Sequence, residues 1–154
     1  MNKSVESYWR KFLDSLPPDS PWLARPMLAE GWGDSPAMAD ELGALIASGV
    51  KTATCSALAE WEHDGGDLPQ PGLLTVVLDG KDIPLCIVET VEVVIKPYNQ
   101  VDAAFAFDEG EGDRSLEYWR AAHKRFFERT FARIGGQFSE EMLLVCERFR
   151  LIYK

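Results

Sequence analysis

The chain has 154 residues, of which 46% are hydrophobic and 27% charged, and its formal net charge is -9. That length suits one domain around one sizeable core, and the composition excludes wholesale disorder. No apolar run approaches the roughly 18 residues that a membrane helix needs, and the acidic balance disfavours non-specific binding along duplex nucleic acid.

Cys55, Cys86 and Cys146 are widely spaced and form no CxxC pair, and there are only two histidines, His63 and His123. Neither a zinc site nor a disulfide framework is expected, so no metal and no cofactor are called for. The opening Met1–Glu6 has no apolar segment of a secretory signal. The expectation is a cytoplasmic protein in a reducing compartment, as a monomer or homodimer.

Val5 to Leu16 reads as an amphipathic helix, with Val5, Trp9, Phe12, Leu13 and Leu16 on one side. Pro17-Pro18 stops it, and an irregular, aromatic-rich connection runs on to Gly33. Asp34-Ser35-Pro36 is a helix start, and Met38, Leu42, Leu45 and Ile46 follow at helical spacing until Gly49. Lys51 to Ser56 is short and β-prone, and Ala57–Glu62 is a short helix or an extended edge.

Leu73–Leu78 and Pro84–Ile95 read as an antiparallel pair joined at Asp79-Gly80. Val101–Phe107 is a short helix. Ser115 caps a long helix, Leu116 to about Ile134, that Gly135-Gly136 ends. Leu143–Tyr153 alternates, placing Leu143, Val145, Phe149, Leu151 and Tyr153 on one face with Glu147 interrupting it. The element order gives an α+β protein with a mainly antiparallel, curled sheet.

Four places could carry chemistry. In Lys51-Thr52-Ala53-Thr54 a buried lysine can activate a threonine nucleophile, provided the backbone turns so that Lys51 and Thr54 converge. The loop Asp108-Glu109-Gly110-Glu111-Gly112-Asp113 offers carboxylates for proton transfer, or is a solvated loop ahead of a cap. The segment from Arg114 to Arg133 carries six basic side chains against Glu117 and Glu128. Its stripe Arg125, Arg129 and Arg133 either touches RNA phosphates or pairs with acidic neighbours. Glu147, a carboxylate on an apolar face, must be paired or protonated, either in a site or with an arginine. Cys55 lacks an adjacent histidine, and a mid-helix His123 more often packs or pairs than catalyses.

Taken together, Trp32-Gly33-Asp34-Ser35-Pro36, Gly49 to Cys55, Glu109 to Leu116 with Tyr118-Trp119-Arg120, and Val145 to Phe149 resemble the ASCH domain superfamily over roughly residues 30–153. The resemblance implies a PUA-like fold, a small curled β-barrel flanked by helices, as a domain over 31–154 with residues 1–30 a helical extension packed on it. It implies handling of RNA or nucleosides. Some relatives are amidohydrolases that deacylate N4-acetylcytidine; others are reported ribonucleases or expected RNA binders.

The amidohydrolase pattern carries over to Lys51 and Thr54 and to a glutamate in the acidic loop, Glu109 or Glu111. It implies a metal-independent hydrolase that deacylates N4-acylated cytosine nucleosides. Thr54 would be the nucleophile and Lys51 its activator. The smallest such enzymes follow the threonine with a β-branched residue and an arginine, whereas Cys55-Ser56 stand here. Ser56 is an expected oxyanion donor, Trp32, Trp61 and Tyr98 are expected walls for a flat base, and Ser115 is an expected substrate contact. The alternatives are an RNA-binding module using Arg125, Arg129 and Arg133, and a ribonuclease using Lys51 and the acidic loop.

Overall fold

A computed structural model describes residues 1–154. Helix α1 is Lys3–Asp14, capped by the Asn2 side chain on the Val5 N–H. A 3-10 turn at Pro21–Ala24 leads into β1, Met27–Glu30. Helix α2 is Pro36–Ala47 and is capped by Ser35, as its sequence signals predict. Strand β2, Ala53–Ala57, runs directly into α3, Leu58–Asp64, resolving the helix-or-edge alternative for that segment. Strands β3 (Leu74–Leu78) and β4 (Pro84–Pro97) follow, then α4 (Ala103–Glu109), α5 (Leu116–Ile134) and β5 (Leu143–Tyr153). No helix is long and apolar enough to cross a membrane.

The strands form one mixed sheet in the order β1-β3-β4-β5-β2. The β3–β4, β4–β5 and β5–β2 pairs are antiparallel, and β1 lies parallel to β3. The sheet is open, because β1 and β2 are its edges, so the expected barrel does not close. Strand β1 falls in the segment read as irregular from sequence. Four residues after a proline carry too little alternation to announce a strand, and β1 exists only because β3 offers it a free edge.

Helices cover both faces. On one, α1 packs Val5 and Phe12 onto Leu74, Val76, Leu78 and Ile87, while α4 and α5 pack Phe105, Trp119 and Phe127 onto Ala53, Ala57, Leu144 and Cys146. On the other, Ile46 of α2 meets Val77, Cys86, Val88 and Phe149. This two-sided burial corrects the single apolar face expected for β5. Leu144, Val145 and Cys146 are all buried, and Leu143 and Leu151 are exposed. Within β4 the pairing slips between Thr90 and Glu92, leaving Val91 exposed at the irregularity.

Phe12 is 1% exposed and touches Trp9, Trp22 and Tyr153. Truncating such a side chain removes its burial and leaves a cavity. Phe12→Ala should therefore lower stability by about 3–5 kcal/mol in urea unfolding.

Candidate functional site

A cleft of about 240 Å³ opens at the β2 edge, between α2 and α5. Met38, Glu41 and Leu42 line it from α2, and Tyr118, Ala122, His123, Arg125, Phe126 and Arg129 from α5. Lys51, Thr54, Cys55, Glu109, Glu111 and Trp32 complete the wall. Lys51 and Thr54 thus line the same cleft. Lys51 lies ahead of the strand, in the tight exit from α2, where the Val50 and Lys51 N–H groups both donate to the Leu45 carbonyl.

Lys51 is 1% exposed and its ammonium is fully engaged. It donates to Glu109 Oε1 at 3.1 Å, to the Glu109 carbonyl at 3.3 Å and to Glu111 Oε2 at 3.0 Å. Gly110 makes this bidentate arrangement reachable. Its φ of +73° turns the chain so that flanking glutamates both face Lys51, and a Cβ there would stand 2.8 Å from the Val50 carbonyl oxygen. The second oxygen of Glu109 accepts from the Trp119 indole N–H, lies 3.3 Å from His123 Nε2 and receives the Cys55 thiol at 3.5 Å. His123 Nδ1 sits 2.9 Å from the Trp119 carbonyl, and the two rings stack.

Electrostatics lock this cluster in its charged form. Burial opposes the charge on Lys51, yet Glu109 and Glu111 outweigh it and lift the ammonium above the ordinary lysine range. Burial alone would raise Glu109, but Lys51, His123 and Trp119 together hold it down to about 2. Burial likewise opposes the His123 charge, and Glu109 reverses the balance and raises it. The Cys55 thiol is pushed well up by burial and by Glu109, which keeps it a protonated donor rather than a nucleophile. Cys55, Glu109 and His123 bring three ligand-type atoms within 4.8 Å of one another. A cation there would compete with the Trp119 indole N–H and the Cys55 thiol, which already use that oxygen of Glu109.

Thr54 lies on the other side of the same strand. Strand side chains alternate, so Ala53, Cys55 and Ala57 face α4 and α5 while Thr54 and Ser56 face the opposite way. In the antiparallel ladder Thr54 stands directly across from Glu147. Glu147 makes no ion pair with an arginine, contrary to one reading of the sequence, because the adjacent Arg148 reaches Asp108 and Glu92 instead. It faces a smaller extension of the cleft lined by Trp32, Trp61, Ser56, Glu30 and Glu60. Burial, then the nearby Glu30 carboxylate, push Glu147 up to about 7.

Trp32 donates to Glu30 at 3.0 Å and packs edge-on to Phe149, so it lines both cavities. Trp61 donates to the Ser56 hydroxyl at 2.8 Å. Two expected contacts lie elsewhere. Tyr98 is buried beyond α5 against Trp119, Phe127 and Phe138, its hydroxyl donating to the Arg120 carbonyl, because an aromatic ring here completes the core. The Ser115 hydroxyl is used as the cap of α5. The arginine stripe is mostly consumed in ion pairs. Arg129 binds Asp34 and Arg133 binds Glu60 and Asp64, which leaves Arg125 at the cleft mouth.

His123 and Cys55 are the site residues that sequence reasoning set aside. The available signal was helical spacing, since Trp119 and His123 stand four apart and share a face. Their common target, Glu109, is 10 residues before Trp119 and 14 before His123 and could not be paired with them by pattern.

Two stability measurements check these balances. Lys51→Met strips the main cation from buried Glu109 and should cost about 3–5 kcal/mol at pH 7. Glu109 contributes its stability above the ordinary carboxylate value of 4.5 and loses it as pH falls towards about 2, so the gap should narrow over that window. Glu147 has the opposite sign. Its raised value makes the ionised form a burden that develops as pH climbs from 4.5 through about 7. Glu147→Gln should match wild type at pH 4 and exceed it by about 2–3 kcal/mol at pH 8 in chemical unfolding.

The ASCH domain family model matches residues 29–153. The crystal structure of an ASCH domain from Lactobacillus crispatus is 34% identical, covering 100% of this chain and 97% of that one with a TM-score of 0.94. A crystal structure from Enterococcus faecalis is 39% identical, covering 99% of this chain and 90% of that one with a TM-score of 0.83. No curated protein matches the chain. With the match spanning the sheet, the acidic loop and the cleft helices, the chain belongs to the ASCH domain family.

Proposed function

We propose that the cleft hydrolyses a small N-acyl compound of the N4-acetylcytidine class, with Thr54 as nucleophile. The observation that carries this reading is the sharing of one small cleft by Thr54 and a buried, permanently charged Lys51. The lysine works as a cation. Held between two carboxylates, it has no lone pair to offer at neutral pH and cannot itself take the Thr54 proton. Glu109 is saturated by Lys51, Trp119 and His123 and serves to position the ammonium. Glu111, with 20% of its side chain exposed, is the carboxylate of the pair that can meet a bound substrate.

The dimensions suit a nucleoside-sized group rather than a folded nucleic acid. Trp32 and Trp61 offer flat apolar surface beside Thr54 and Ser56. An RNA-binding role is linked to the PUA-like fold, but the arginine stripe gives it limited support, since two of three guanidinium groups are already paired.

Ultraviolet monitoring of N4-acetylcytidine with purified wild type and Thr54→Ala tests the proposal. Turnover should be present in wild type and fall by at least about 10³-fold in the variant, with its unfolding transition retained. Equal rates in the two proteins would remove Thr54 from the chemistry.

A further inference from the structure

Amide hydrolysis at Thr54 leaves one requirement unmet by Lys51, Glu109 and Glu111. The hydroxyl must lose a proton as it attacks, and Lys51 is already protonated. Both of its carboxylate partners are bound to it, and Glu109 is engaged on the face of β2 that Cys55 occupies, opposite to Thr54. The register of the sheet brings another group to the right face. Thr54 and Glu147 are directly opposed across β2 and β5, and such pairs hold their Cβ atoms about 4.5–5.5 Å apart on one face. That separation allows proton transfer directly or through one water.

The surroundings leave Glu147 unpaired. The cavity it faces is lined by Glu30, Glu60, Trp32 and Trp61, with Thr54, Cys55 and Ser56 from β2 and Phe126 from α5, and no lysine or arginine. Val93 is its ladder neighbour on β4. Glu89, by contrast, is neutralised by Arg25 and Arg150, and Asp108 by Arg148. A carboxylate without a cation, beside a second carboxylate, binds a proton readily and near neutral pH can both take and return one.

We propose that Glu147 is the general base that takes the Thr54 hydroxyl proton, a role that rests on the amide-hydrolysis reading above. As the Thr54 oxygen bonds to the acyl carbon, its proton passes to the Glu147 carboxylate. The C–N bond then breaks and that proton moves to the leaving nitrogen, giving free amine and acyl-Thr54. Water next attacks the ester while giving a proton to Glu147, and that proton returns to the Thr54 oxygen as the acid departs.

The test uses p-nitrophenyl acetate as acyl donor, with acetylation of Thr54 read by mass spectrometry from pH 5 to 9, and N4-acetylcytidine turnover in parallel. In wild type the acetylation rate should rise with pH through about 7. Glu147→Gln should lose about 10²-fold or more and lose the pH limb, while Glu147→Asp, which keeps a carboxylate, should retain the limb. Acetylation that depends on Glu147 without N4-acetylcytidine turnover would overturn the substrate class and uphold the base. Acetylation of Glu147→Gln at the wild-type rate would overturn the base whatever the substrate. Absence of Thr54 acetylation in wild type at every pH would overturn both.

Discussion

The buried ion pair between Lys51 and Glu109 is the constraint around which the cleft is arranged. A lysine ammonium with no exposed surface survives folding only when carboxylates and carbonyls replace its hydration, and here three oxygens do so. Satisfying it joins the exit of α2, the end of α4 and the turn at Gly110. Glu109 in turn recruits Trp119 and His123, one helical turn apart on α5, and so fixes that helix against the sheet. The neighbouring backbone follows, with the Thr52 N–H donating to the Asp108 carbonyl and the Phe149 N–H to the Thr52 carbonyl. The entry to β2 is therefore pinned on both sides, and with it the position of Thr54.

The second organising element is strand parity at an edge. β2 is five residues long and pairs only with β5, so one flank of it faces the cleft. Alternation divides its polar side chains between two environments. Cys55 joins the charged cluster on the α5 side, while Thr54 and Ser56 join Glu147, Trp32 and Trp61 on the other. One side holds the Lys51 ammonium, kept protonated by the carboxylates that surround it. The other holds a carboxylate whose proton is lightly bound. A cleft that straddles both environments can present charge and proton exchange to the same bound group, without either disturbing the other's protonation.

Much of the scaffold was legible in the residues. Ser35 ahead of Pro36, Ser115 ahead of Leu116 and the double glycine after Ile134 mark local events that cap chemistry and positive φ decide within one turn. The strand β1 was not legible, because its only reason to be extended is a partner 47 residues later in the ladder, Met27 beside Leu74. The single apolar face expected of β5 failed for a related reason. Alternation shows which residues share a side, but not that α2 covers one side while α4 and α5 cover the other. Tyr98 was expected in the cleft on residue type alone, and an aromatic ring serves equally well as core.

By itself the sequence determined the α+β class, the long capped helices, the presence of Lys51 and Thr54 in one short segment, and a pair of glutamates spaced by glycine. These depend on spacing and on local backbone preference, which are properties of neighbours in the chain. Only the tertiary structure decided which glutamate is saturated and which is open, that His123 and Cys55 complete the charged cluster, and that Arg129 and Arg133 are spent on Asp34, Glu60 and Asp64. It alone decided that Glu147 stands across from Thr54 with no cation beside it. Each of these is a contact between residues far apart in sequence, set by strand register and helix packing, and the energy of a charge depends on all the groups that close around it.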